Sequence, residues 1–347
     1  MGLAVAPPWV SLALPHVVVG LFVFAYGACV GSFLNVLIYR LPEGISVISP
    51  PSRCPVCGGL LGWGENLPII GWLWLRGRCR RCAAPISSQY IAIEAITGLL
   101  FVALYLAYFA TSPHMPWWGQ VGGPWWYAAG ALRGLPAFTL HAFLLAALLA
   151  MTLIDARTFT IPIQIPVALT IVAFLLWPLQ GFLVMTPRTM TGLPIPVVDW
   201  RWFAVALGGM AGVGVAVALL RWGVIRPSFA DYDDFVKEGE TLGNYPHARR
   251  EMAVEAMFLL PVVIGVVVGW LIGGMLPVGH PPLPLAFLGG SMLGYLVGAG
   301  IVWAVRMLGT LGFGREAMGL GDVHLLAAVG SVLGWRDPLW VFFLAPF

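Results

Sequence analysis

Two aspartates stand at the ends of apolar segments, where a carboxylate can take part in chemistry. Asp155 ends one such segment and Asp322 begins another. Ionisable side chains at membrane depth are expensive to bury, which makes them candidates for function. Two carboxylates a few Å apart share one proton: one activates a water molecule as a base, and the other protonates a leaving amine. The pair therefore predicts hydrolysis of a peptide bond by two aspartates.

The residues around Asp322 indicate how a substrate would be held. Gly319 and Gly321 precede it, and we expect both to admit close approach of a substrate backbone and to take positive φ. His324 follows two residues later and is a third positioning candidate. A single aspartate here would more often end a helix in the headgroup region. The second aspartate, Asp155, and the Gly-x-Gly-Asp context favour the catalytic interpretation.

Four of the five cysteines form two Cys-x-x-Cys pairs. Cys54, Cys57, Cys79 and Cys82 have the spacing of a four-thiolate zinc site. We expect a structural zinc ion, because the loop is too small to build its own core and four thiolates leave no open coordination position. Two disulfides are the alternative, which a reducing compartment disfavours. Cys29, within an apolar run, is interpreted as a packing residue.

The composition indicates a membrane environment. Hydrophobic residues make up 60% of the 347 residues and charged residues 10%, whereas about a quarter of a soluble domain is charged. Several apolar segments reach the roughly 20 residues that a helix needs to cross a bilayer. The short alternating segments of a β-barrel are absent. No long run of Lys and Arg is present, so we expect the lipid bilayer, and no nucleic acid, as a partner.

These segments predict an all-α, polytopic bundle of about eight transmembrane helices with a small zinc-binding cytoplasmic loop domain. The spans are expected at 16–38, 88–110, 136–155, 164–185, 202–222, 256–276, 284–306 and 323–346. The first loop carries six arginines, so the positive-inside rule places it in the cytoplasm. Alternation then puts the Trp-rich loop 111–135 outside. It puts Asp155 and Asp322 on the cytoplasmic side, where we expect them to face each other.

Two regions follow from this organisation. Residues 16–100 contain the cysteine-bearing loop at about 40–87, and residues 136–347 form the membrane domain with both aspartates, interrupted by a polar insertion at 223–255. We expect the first apolar stretch to be a retained helix rather than a signal peptide. The chain stops within an apolar run, so we expect it to be truncated after Phe347.

Further motifs are dense near the N-terminus: GSFLNV at 31–36, YRLP at 39–42, the cysteine blocks at 52–58 and 75–82, and W-x-EN-x-P at 63–68. Asp155 with Ile161-Pro162, and the block 316–322 that ends in Asp322, add two aspartyl motifs. Together they resemble the bacterial prepilin peptidases, the type IV prepilin leader peptidases of the GxGD aspartyl peptidase family. The similarity covers about 25–100, 150–162 and 315–334.

The resemblance implies an endopeptidase of the bacterial inner membrane whose active site faces the cytoplasm. It would remove the basic leader peptide from type IV prepilins and type II secretion pseudopilins, and would N-methylate the new N-terminus with S-adenosylmethionine. Asp155 and Asp322 would form the aspartyl dyad, with Gly319 and Gly321 beside it. The zinc ligands would be Cys54, Cys57, Cys79 and Cys82.

Two residues depart from the family pattern. Ile163 follows Ile-Pro where the family usually has Asp, and His324 stands where it usually has Lys. Histidine titrates near neutrality and lysine does not. We therefore expect altered pH dependence or substrate positioning.

Several alternatives stay open at the level of sequence. A presenilin-like or archaeal preflagellin-type peptidase would share Gly-x-Gly-Asp without the cysteine-rich loop. A proton-coupled transporter would need aspartates near the bilayer midplane and broken helices, and an inactive secretion-system scaffold would use the zinc loop for docking. His141, inside the third span, is interpreted as a buried, hydrogen-bonded histidine rather than a proton relay. The acidic stretch Asp231–Glu240 is interpreted as a solvated face.

Overall fold

The computed structural model describes residues 8–110, 131–184, 197–235 and 245–344. In these ranges the chain is helical and contains no β-strand; two isolated antiparallel bridges lie in the cysteine-bearing loop. Most of the Trp-rich loop, part of the polar insertion and the chain end, for which we made predictions, lie outside the described residues. The chain divides into two compact units, Met1–Pro162 and Ile163–Phe347.

The first unit is built from three long helices. They are α1 (Pro8–Arg40), α3 (Gln89–Tyr105), which continues as a π-helical turn to Ala110, and α4 (Ala131–Thr158). The loop between α1 and α3 carries the cysteines, a 3-10 turn and the short helix α2 (Ile70–Trp74). Asp155, on α4, therefore lies in the same compact unit as the cysteines. The predicted functional regions 16–100 and 136–347 stay a prediction.

The second unit surrounds one central helix. Its helices are α5 (Gln164–Leu183), α6 (Trp200–Arg221), the short α7 (Tyr232–Phe235), α8 (Ala248–Gly273), α9 (Leu283–Phe313), α10 (Leu320–Leu333) and α11 (Arg336–Leu344). The helix α9 packs against α5, α6, α8 and α10. Many of its buried residues are small, which allows its neighbours to approach closely.

Seven helices of the described chain are long and apolar enough to cross a membrane: α1, α3, α4, α5, α6, α8 and α9. The prediction of a multi-pass, all-α membrane protein is confirmed. Several helices extend beyond their predicted spans; for example, α8 begins at Ala248 rather than 256 and α9 ends at Phe313 rather than 306. Glu255, in the extension of α8, pairs with Arg306 near the end of α9, which lowers the cost of burying both charges.

The prediction of one continuous helix over 323–346 is wrong. The structure has α10 and α11 instead, separated at Gly334, whose φ of 82° ends α10. Fourteen helical residues span about 21 Å, less than the roughly 30 Å of a hydrocarbon core. Most of α10 is buried against other helices of its unit. Its apolar character therefore reflects protein packing.

A buried polar pair in the first unit involves His141. Its Nδ1 lies 3.0 Å from the Tyr108 hydroxyl and 2.8 Å from the Ala137 carbonyl oxygen. Both side chains are buried. The prediction of a buried, hydrogen-bonded histidine is confirmed.

Glycines bring the helices of the second unit into backbone contact. A Cβ placed on Gly208 of α6 would overlap the carbonyl oxygen of Gly265 on α8, and one on Gly265 would overlap that of Gly208. The same reciprocal overlap occurs between Gly294 on α9 and Gly330 on α10. Small residues at such crossings permit close packing where helix association gains little hydrophobic energy.

This packing predicts that Gly208→Ala destabilises the protein. The added methyl group must push α6 and α8 apart, at a cost of roughly 1–3 kcal/mol for an overpacked site. Gly214→Ala on the same helix is the matched control, because nothing lies within 4 Å of its Cβ position. Thermal unfolding in detergent should show a lower midpoint for Gly208→Ala and an unchanged or higher one for Gly214→Ala. Equal midpoints would contradict the close contact.

Candidate active site and metal centre

The first cysteine pair lies on a tight turn closed by its own backbone. The Gly58 N–H donates to the Cys54 carbonyl at 2.9 Å, and the Cys54 N–H donates to the Gly59 carbonyl at 2.9 Å. Gly58 has a φ of 66°, a conformation that glycine adopts without steric cost. The turn directs Cys54 and Cys57 to the same side.

The second pair repeats this turn. The Ala83 N–H donates to the Cys79 carbonyl at 2.9 Å, and the Cys79 N–H donates to the Ala84 carbonyl at 2.9 Å. Ala83, with a φ of 58°, takes the place of Gly58, although a residue with a Cβ loses roughly 1–2 kcal/mol there. In the amino-acid sequence the repeat is faint, because little more than Arg-Cys-x-x-Cys recurs. The backbone geometry reveals it.

The two turns bring the four sulfurs together. Cys54 Sγ lies 3.8 Å from Cys82 Sγ, Cys57 Sγ lies 4.0 Å from Cys79 Sγ, and all four lie within 4.8 Å of one another. In a tetrahedral site with Zn–S bonds of about 2.3 Å, two sulfurs are about 3.8 Å apart. The predicted ligands therefore form a cluster that can hold one metal ion, and Cys29 lies outside it, on α1.

The backbone of the first turn favours the metal-binding form of its thiol. The N–H groups of Cys57 and Val56 point at the Cys54 thiol and lower its pKa to about 6. A thiolate, rather than a thiol, binds a metal ion. This turn therefore stabilises the charge state that a ligand needs.

A buried carboxylate attaches the cysteine-bearing loop to the helices. Glu94 of α3 is buried, and its Oε2 accepts the Ile69 N–H at 2.6 Å. The motif at 31–36 serves this contact: a Cβ on Gly31 would lie 2.7 Å from the Glu94 Cα, and Asn35 Nδ2 donates to the Tyr90 carbonyl at 3.1 Å. Close packing of α1 against α3 thus places the loop at one end of the first unit.

Asp155 lies at that same end. It occupies the last turns of α4 and is exposed. The Phe159 N–H donates to its carbonyl at 2.8 Å, and the helix ends there because Phe159 has a positive φ of 53°. Two residues from Asp155, the Arg157 guanidinium donates to the side chain of Gln89, the first residue of α3. The Asp155 carboxylate is therefore accessible, and the end of α4 that carries it is held to the start of α3 by Arg157.

Asp322 lies in the first turn of α10, with Gly319 as the N-cap. The prediction of positive φ at Gly319 and Gly321 is wrong: Gly319 is extended, with a φ of −69°, and Gly321 is helical. They begin the helix instead. A Cβ on Gly319 would lie 3.5 Å from Asp322 Oδ2, so the absence of a side chain leaves space beside this carboxylate.

The remaining predicted positions lie as follows. His324 is half-buried, and residues two apart on a helix do not face each other, so it does not share the face of Asp322. Ile163 is the exposed N-cap of α5. Asp155 lies in the first unit and Asp322 in the second, and their pairing stays a prediction.

A charged cluster that was not predicted from the sequence contacts the segment that precedes Asp322. Arg306 of α9 pairs with Glu255 of α8 and with Glu316 of the segment that leads to α10. A signal was present in the sequence, because charged residues at the edge of an apolar segment need partners. The identity of the partners is seen only in the folded second unit.

The family model of the Bacterial Peptidase A24 N-terminal domain matches residues 25–108. A protein of Aeromonas hydrophila named prepilin leader peptidase/N-methyltransferase is 31% identical over 353 residues, which cover 95% of this chain and 75% of the relative. The chain belongs to the prepilin leader peptidase/N-methyltransferase family. The resemblance found in the motifs is thereby confirmed.

Two further family members carry the same name. The Klebsiella pneumoniae protein is 28% identical over 323 residues, covering 91% of this chain and 86% of the relative. The Myxococcus xanthus protein is 56% identical over 82 residues, 24% of each chain. No solved structure matches. The matched N-terminal domain contains the cysteine cluster and neither of the two aspartates.

The sulfur geometry predicts that the purified protein contains about one metal ion per chain. Cys54→Ser should lower the metal content several-fold and loosen the loop, because one of four ligands is lost. Cys29→Ser is the matched control and should retain the metal. Inductively coupled plasma mass spectrometry gives the stoichiometry. A wild-type content far below one equivalent, or equal contents in both variants, would contradict a four-cysteine site.

Proposed function

We propose that this chain is a membrane aspartyl endopeptidase that removes the basic leader peptide from type IV prepilins and type II secretion pseudopilins. The observation that carries the proposal is the similarity along 95% of the chain to a relative named prepilin leader peptidase/N-methyltransferase. This name favours a peptidase over a transporter or an inactive scaffold. The two carboxylates at helix ends, Asp155 and Asp322, agree with the proposal.

In the proposed reaction the two aspartates share one proton. The ionised carboxylate removes a proton from water, and the water oxygen attacks the scissile carbonyl carbon. The tetrahedral intermediate then collapses, the C–N bond breaks, and the protonated carboxyl group gives its proton to the leaving amine. The space beside Gly319 is where we place the substrate backbone. His324, on a different face of α10, would position a more distant part of the substrate.

We propose that the active site faces the cytoplasm from the bacterial inner membrane. In the first unit the arginine-rich loop and the Asp155 end of α4 lie at one end. In the second unit, Arg249 at the start of α8 donates to the carbonyls of Leu311 and Gly312 at the end of α9, which leads to Asp322. Arginine-rich loops stay on the cytoplasmic side of the membrane. An active site at this end would therefore bind the basic leader of a prepilin in the cytoplasm.

We propose zinc as the metal of the cysteine cluster. Four thiolates at tetrahedral spacing suit zinc, and they leave no open position for a substrate. Its role is therefore to fold a loop that has no core of its own. Peptide hydrolysis in this proposal uses the two aspartates and not the metal.

We also propose that the chain methylates the new N-terminus with S-adenosylmethionine, as the name of its relatives indicates. A cavity of about 400 Å³ in the first unit lies between α1 and the loop; Ser32, Arg40, Ser52 and Asn66 are among its lining residues. This volume is within the range of small-molecule sites. The Arg40 guanidinium can hold a carboxylate, and Ser52 and Asn66 can bind polar groups. The bound cofactor would supply the methyl group.

For the peptidase, we expect Asp155→Asn and Asp322→Asn each to lower prepilin cleavage by at least about 100-fold, because the amide neither shares a proton nor acts as a base. Asp199→Asn is the control, since Asp199 caps α6 by accepting the Trp202 N–H at 2.9 Å and asparagine caps helices equally well. Cleavage is followed as a mobility shift of the prepilin. Normal processing by either of the first two variants would rule out the proposed dyad.

For the cofactor, we expect the wild-type protein to bind S-adenosylhomocysteine and Arg40→Gln to bind it roughly 10-fold more weakly, the loss expected for one charged hydrogen bond. Arg221→Gln, an exposed arginine of the second unit, is the control and should bind as wild type does. Isothermal titration calorimetry measures the affinities. Equal affinity in Arg40→Gln would place the site elsewhere.

A further inference from the structure

A fully buried arginine lies behind the segment that leads to Asp322. Arg306 of α9 has 1% of its surface exposed. Burial of a guanidinium without partners is costly, so its partners determine how it is held. They come from two different parts of the second unit.

The first partner is a buried carboxylate on α8. Glu255 is 3% exposed, and its Oε1 lies 2.9 Å from Arg306 Nε and 2.9 Å from Arg306 NH2. Its Oε2 also accepts the Trp303 Nε1–H at 2.7 Å. These contacts fix the guanidinium plane, because each carboxylate oxygen has a donor of defined direction.

The second set of partners belongs to the segment between α9 and α10, residues 314–319. Arg306 NH1 donates to the Glu316 carboxylate and to the Met318 carbonyl oxygen. The Ala317 N–H, between them, donates to the Thr310 hydroxyl of α9 at 3.2 Å. Three successive residues of the segment are thus held by α9, and Gly319 follows as the N-cap of α10.

The same guanidinium also contacts the polar segment 225–235. Its central carbon lies 5.3 Å from the centre of the Phe229 ring. The Phe229 N–H donates at 2.9 Å to Glu251, a buried carboxylate that also pairs with Arg226. Arg306 therefore joins α8, α9, the polar segment and the segment before Asp322.

We infer that Arg306 is a positioning residue for Asp322: its ion pairs with Glu255 and Glu316 and its hydrogen bond to the Met318 carbonyl set where α10 begins. Asp322 lies three residues after the N-cap, so a shift of this segment moves its carboxylate. The inference rests on the proposed peptidase function. A displacement of about 1 Å at a catalytic group can lower a rate 100-fold.

The decisive variant is Glu316→Gln. It removes the charged link to the segment while Glu255 still pairs with the buried Arg306, and Glu316 is partly exposed, so the fold should persist. We expect a roughly 10- to 100-fold lower kcat with KM within about twofold, because substrate binding is retained and a catalytic group is misplaced. Arg306→Lys keeps the charge but loses the planar fork, and it should behave in the same way.

Hydrogen–deuterium exchange provides a readout other than activity. Backbone amides of residues 316–324 should exchange faster in Glu316→Gln, while those of α6 keep wild-type rates. The control is Arg249→Gln, an exposed arginine that also binds backbone carbonyls near the end of α9. It should leave kcat and exchange in 316–324 unchanged.

The outcomes separate this inference from the proposed function. If Asp322→Asn retains activity, the peptidase mechanism is wrong. If Asp322→Asn is inactive while Glu316→Gln has wild-type kcat and exchange, the peptidase stands and the positioning role is refuted. If Arg306→Lys does not fold, Glu316→Gln alone decides the question.

Discussion

Helices inside a membrane gain little hydrophobic energy by exchanging lipid for one another, so close contact must hold them together. In this protein, neighbouring helices approach so closely that their backbone atoms are in contact. Gly208 and Gly265 join α6 to α8, Gly294 and Gly330 join α9 to α10, and Gly31 lets α1 approach α3 at Glu94. The rest of each unit depends on these crossings, because they set which helix ends lie together.

Buried carboxylates then attach the polar segments to the helices. Glu94 accepts a backbone N–H from the cysteine-bearing loop, Glu251 accepts one from the segment 225–235, and Glu255 holds Arg306 and with it the segment before Asp322. An unpaired carboxylate in such surroundings would be costly. Each partner is therefore held strongly, and segments without a core of their own are fixed in place.

The cysteine-bearing loop uses a different means of stabilisation. Its two turns repeat one backbone pattern, with Gly58 and Ala83 in the same left-handed position. Two such turns bury little apolar surface, and their four sulfurs lie close enough together to hold one metal ion, which would replace the missing core. The cysteine cluster and the two aspartates are also separate along the chain. The matched N-terminal domain contains the four clustered cysteines and neither aspartate.

Hydropathy and cysteine spacing are properties of neighbouring residues, so the sequence alone was enough to predict the membrane environment, seven of the helices, the four clustered cysteines and the family. The tertiary structure decided that 323–346 is divided at Gly334, that Gly319 and Gly321 begin a helix, and that Arg306 joins Glu255 to Glu316. These outcomes depend on which distant groups meet. The partners of a buried charge, or of a glycine at a close helix crossing, lie far away in the sequence. Local sequence patterns therefore do not predict them.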